Sequence, residues 1–82
     1  MTILSFQPAI MPPDSLVGVV EVELSYGIVL SAPVYERDGK RWLKIPQHGA
    51  YGPALKFRDG DKKGTFKAAV LAALDEYEGE VR

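Results

Sequence analysis

The chain has 82 residues, 46% of them apolar and 26% charged, with a formal net charge of −1 and no cysteine. A chain this short forms a single domain, residues 1–82, and buries only about 60–65% of its unfolded surface, so its core is thin and a homodimer would support it. The composition excludes a disordered or membrane-spanning chain, and the lack of cysteine excludes disulfides, thiol catalysis and thiolate metal sites.

The N-terminal stretch MTILSFQPAIMPPD has neither a basic segment nor a long apolar one, so no leader is expected and the cytoplasm is the expected compartment. Within it, residues 3–9 (ILSFQPA) alternate loosely and end in proline, the pattern of a short first strand at an edge. Residues 16–24 (LVGVVEVEL) read as the clearest strand, with Val20, Val22 and Leu24 on one face and Glu21 and Glu23 on the other. Ser25-Tyr26-Gly27 supplies a hairpin bend, and residues 28–36 (IVLSAPVYE) return with Ile28, Leu30, Ala32 and Val34 on one face. Pro33 removes a ladder donor, which predicts an edge or a bulge there.

Asp38-Gly39 is a strong two-residue hairpin signal leading into residues 41–46 (RWLKIP), where Leu43 and Ile45 share one face and Trp42 and Lys44 the other. A glycine-containing loop, Gln47 to Pro53, precedes residues 54–58 (ALKFR), which alternate again with Leu55 and Phe57 inward and Lys56 and Arg58 outward. Phe66, Ala69, Val70, Ala73, Leu74 and Tyr77 then follow the spacing of an amphipathic helix, with Asp61 or Thr65 as its N-cap and Gly79 as its stop. The expected fold is therefore α+β: an antiparallel β-meander of four to five strands with one C-terminal amphipathic helix packed on one sheet face. The other face is left open, with Trp42, Lys44, Lys56 and Arg58 on or near it, and Tyr35 and Arg37 as further candidates.

Charge is segregated along the chain. Residues 1–36 hold four acids and no Lys or Arg, residues 37–67 hold nine bases against three acids, and residues 68–82 hold four acids against Arg82. A basic central third calls for an anionic partner unless the folded surface cancels it. Two constellations fit such a partner. Aromatic and basic residues alternating on an open sheet, Trp42 and Lys44 with Lys56 and Arg58, suit stacking of bases and contact with phosphates in single-stranded nucleic acid; the same pattern also suits a solvated sheet or a dimer interface. At the strand-to-helix junction, Arg58, Lys62, Lys63, Thr65 and Lys67 surround a helix start whose free N–H groups attract anions, although exposed lysines on an ordinary capped helix would read alike.

Enzymatic readings are weak. His48 is the only histidine and stands near Tyr51 in the glycine-containing loop, a setting in which a histidine is usually inert. The carboxylates are scattered, so no metal or cofactor is expected.

The order of elements resembles the stage V sporulation protein G (SpoVG) family of bacterial septation regulators, which bind DNA. The resemblance runs from Ile3 to about Tyr77 and rests on the long hairpin VGVVEVEL-SYG-IVLSAPVY, on Trp42-Leu43-Lys44-Ile45-Pro46, on Phe57-Arg58, and on a helix closing with Glu76-Tyr77. It implies a homodimer built through the sheet and DNA or RNA binding in gene regulation, with Arg58, Lys62, Lys63 and Thr65 at the family's DNA-contacting segment. The chain departs from the family at Gly60-Asp61-Lys62-Lys63-Gly64, where relatives carry a hydroxyl-rich segment and arginine, and at Pro33, where a basic residue is usual. The alternative expectation is a non-enzymatic protein-interaction or self-association module without nucleic-acid affinity.

Overall fold

The computed structural model describes residues 1–9, 15–47 and 55–80. Most of the Gln47–Pro53 loop, including His48 and Tyr51, lies outside the described residues. Four strands, β1 (Thr2–Pro8), β2 (Leu16–Glu23), β3 (Val29–Arg37) and β4 (Lys40–Leu43), precede one helix, α1 (Gly60–Glu80). The strands pair antiparallel in the order β1-β2-β3-β4, a meander in which every strand lies beside its neighbour in sequence. This is the expected α+β fold, with four strands among the described residues.

Alternation sorts the side chains. Val20, Val22, Ala32, Val34 and Leu43 point to one face and, with Val70 and Leu74 of α1, form the buried core. Ile3, Phe6, Leu30 and Leu71 pack around it half-buried. Each such valine or leucine contributes about 1.5–3 kcal/mol by leaving water, and a helix with one apolar stripe finds a large apolar partner in that face. α1 meets both outer strands, β1 and β4, and so covers the inner face from edge to edge.

The turns form as their residues require. Asp38 (φ 54°) and Gly39 (φ 81°) both take the left-handed conformation that a two-residue hairpin needs, and Arg37 pairs directly with Lys40. At the longer β2–β3 connection, the Leu24 N–H donates to the Ile28 carbonyl at 2.6 Å around a short 3-10 turn in which Tyr26 (φ 64°) and Gly27 (φ 72°) are left-handed.

Several local expectations are corrected. Pro33 lies in β3, an internal strand, opposite Val19 of β2. Its carbonyl accepts from the Lys44 N–H at 3.1 Å, so its imide nitrogen also points toward β4, which has ended at Leu43. The register that pairs Val34 with Leu43 sets Lys44 opposite Pro33, and the return bond that proline cannot donate is lost where β4 ends, so the missing donor shortens β4 and does not move β3 to an edge. The segment 55–58 is not a strand; the Phe57 ring packs against Phe66 of the helix at 5.3 Å. The helix starts at Gly60, more than a turn before Phe66, so neither Asp61 nor Thr65 is an N-cap, and it runs through Gly79. Ala69 is exposed and Leu71 packs on the core in its place, while Ile28 is exposed at the hairpin.

Candidate nucleic-acid interface

The two constellations fall on opposite sides of the sheet. Leu43 is buried beneath α1, so Trp42 and Lys44 on either side of it point to the uncovered face. Lys62, Lys63, Thr65 and Lys67 belong to the helix that covers the other face. Lys56 and Arg58 are exposed in the coil held to the helix start by the Phe57–Phe66 contact, not on the open sheet.

On the uncovered face, register builds a compact corner at the end of β3 and β4. Tyr35 stands directly opposite Trp42, and the rings stack with centroids 5.6 Å apart and planes 13° from parallel. The Lys44 ammonium lies 5.2 Å from the Tyr35 ring centroid, a cation–π contact. Two residues along each strand, Arg37 and Lys40 face one another on the same side, both exposed. Trp42 keeps 38% of its surface in water. Lys40 was not among the expected contact residues, yet the Asp-Gly turn carried the signal: a two-residue loop pairs the flanking positions and places both with Tyr35 and Trp42.

The rest of this face has a different character. Glu21 pairs with Ser5 and Ser31, and Glu23 with Thr2 and Val29, so both glutamates face out from β2. The Ser5 hydroxyl donates to Glu21 at 2.9 Å. Between acidic and aromatic–basic regions lie Val19 and Pro33, opposite one another, with Val19 exposed.

At the helix start, Lys62 and Lys63 are exposed in the first turns, where the macrodipole disfavours cations, and Asp61 provides the favoured charge. The Lys62 N–H donates to the Asp59 carbonyl at 3.0 Å, so one of the free donors that would cradle an anion is already used. The Thr65 hydroxyl donates back to the Asp61 carbonyl at 3.1 Å, the bond of a mid-helix threonine and not of a cap. Lys67 is half-buried on the helix flank.

Arg41, one of the bases of the central third, is paired with carboxylates of the chain itself. On the inner side of β4, its Nε donates to Glu36 at 2.8 Å and its Nη1 to Glu78, with Asp75 at 3.7 Å. The hydrogen bond to Glu78, then that to Glu36, holds its pKa above the ordinary guanidinium range. The acidic end of the helix thus clamps β4 to α1, and the acidic thirds neutralise part of the basic one. A depression of about 260 Å³ beside the clamp is lined by Arg41, Asp75, Glu78 and Gly79. Among the described residues, no helix is long and apolar enough to cross a membrane. No family model, characterised protein or solved structure matches the chain.

Proposed function

We propose that the protein is a small, homodimeric nucleic-acid-binding regulator of the kind that the resemblance to the stage V sporulation protein G family implies, acting without a cofactor in the cytoplasm. The observation that carries this reading is the Tyr35–Trp42–Lys44 cluster on the uncovered sheet face, flanked by Arg37 and Lys40. Aromatic rings give every base a stacking partner, and cations beside them meet the phosphates. Lys62, Lys63 and Lys67 belong to the helix layer and lie apart from this cluster.

The test is a fluorescence-anisotropy titration with labelled DNA and RNA oligonucleotides. With about three phosphate contacts, from Arg37, Lys40 and Lys44, affinity for a single strand falls about 20-fold between 50 and 200 mM salt through counterion release. No binding at low salt would overturn the reading.

A second reading is favoured by Val19, Val29 and Trp42, exposed apolar residues on that same face. There the face mediates self-association and nucleic acid plays no part. Sedimentation analysis distinguishes the two: this reading expects a dimer lost on Trp42→Ala and indifferent to added oligonucleotide.

A further inference from the structure

We propose that the nucleic acid this protein takes is single-stranded, and that it is held on the β3–β4 corner, with a base stacked on the outer side of the Trp42 indole and the neighbouring phosphates met by Arg37, Lys40 and Lys44. The inference rests on the nucleic-acid reading above and specifies its ligand and its place.

The indole is prepared for this. One side lies nearly parallel on Tyr35, and Tyr35 in turn carries the Lys44 ammonium. The ring is therefore braced on the side that meets Tyr35, while over a third of the residue's surface stays in water. A braced ring loses little freedom when a base stacks on it, which is the condition for strong stacking. The cations stand where the chain of a stacked nucleotide would pass. Lys40 and Lys44 are two residues before and after Trp42, about 7 Å along the strand direction on either side, and Arg37 is directly opposite Lys40.

A duplex does not fit this corner. Its bases are stacked on one another and offer no free side. Four strands span about 14 Å before side chains are added, whereas the major groove, about 12 Å wide, admits a helix or a two-stranded ribbon. A duplex lying across the face would also bring phosphates toward Glu21 and Glu23. From the strand spacing and register, Glu21 is roughly 16 Å from Trp42, far enough for a single strand on the corner to avoid and too near for a duplex with charge on both strands. The lysines of the helix start, beneath the other face, cannot reach the same stacked nucleotide.

Trp42 is the only tryptophan, so its emission reports on this place alone. The experiment titrates the full chain with an oligothymidylate of about 15 nucleotides, near the upper end of common site sizes, and with a mixed-sequence duplex of similar length. Trp42 emission and the anisotropy of labelled oligonucleotide are both read. The expected result is saturable quenching by the single strand and none by the duplex. Affinity for the single strand should fall about tenfold in Trp42→Ala, within the range for one lost stack, return to within about threefold in Trp42→Phe, and stay unchanged in Lys62→Ala/Lys63→Ala. Quenching is read on the unsubstituted protein and does not depend on how the variants fold. Duplex bound as tightly as single strand, or single strand bound without quenching and weakened by Lys62→Ala/Lys63→Ala, overturns the inference and leaves the nucleic-acid reading standing. If neither oligonucleotide binds, that reading fails and takes the inference with it.

Discussion

A Cβ placed on Gly18 would stand 2.5 Å from the Gln7 carbonyl oxygen and 2.7 Å from Cζ of Phe6. Gly18 lies where β2 pairs with Pro8 of β1 and where the β2–β3 register shifts, and the Phe6 ring occupies the space that a side chain would need. Because backbone is among the clashing atoms, Gly18→Ala should cost about 1–3 kcal/mol, the usual penalty of overpacking. Urea unfolding should show a lower midpoint with an unchanged m value. Nothing in the string LVGVV distinguishes this glycine from a tolerated one; only the approach of β1 does. Arg41 makes a similar point about charge. Its side chain is 27% exposed and Asp75 mostly so, so the clamp's worth must be discounted for screening. Arg41→Met should lower stability by about 1 kcal/mol at low salt, and the difference should shrink near 1 M salt. Since the folded-state pKa is raised, this stability is fully present below the ordinary guanidinium pKa and is lost only above it. Titration of Arg41 itself therefore produces no loss between about pH 5 and pH 9.

At the scale of elements, both hairpins and the main amphipathic pattern were legible. Asp38-Gly39 announced its turn because few residues accept two successive left-handed positions. The first turn of the helix is not legible, because Gly60-Asp61-Lys62-Lys63-Gly64 has no apolar periodicity and two poor helix formers. It is helical since the stripe from Phe66 onward docks on the sheet and the preceding turn extends it at little cost. Gly64 has open space around it. Gly64→Ala should accordingly raise stability by about 0.5–1 kcal/mol, measured by thermal or urea unfolding. It should leave oligonucleotide affinity unchanged if the site is the sheet corner. The alternation at residues 54–58 predicted a strand for a sound reason that does not hold here. Leu55 and Phe57 are half-buried as expected, but Phe57 is anchored by Phe66 and not by a neighbouring strand.

For the molecule as a whole, a two-layer arrangement on a short chain leaves one thin core and one bare face. Leu74 is fully buried between α1 and the sheet, so Leu74→Ala should cost about 2–5 kcal/mol. Set against a total of about 5–15 kcal/mol, with a small chain near the lower end, that change should leave a large unfolded fraction at 37 °C, visible by circular dichroism. The meander, most inward residues of β2, β3 and β4, and most of the helix stripe were legible before folding, because each is a matter of local period and turn chemistry; Ile28 and Ala69 are the exceptions. How the charges are used follows from the folded arrangement alone. Arg41 looked like Lys44 in the sequence, yet one points inward to the carboxylates of the helix and the other outward over Tyr35. The lysines of the helix start and the Trp42 corner looked like parts of one basic surface, yet the sheet lies between them. Strand parity states which side a residue takes, but which side the helix will cover, and what waits there, depends on contacts between residues far apart in the chain.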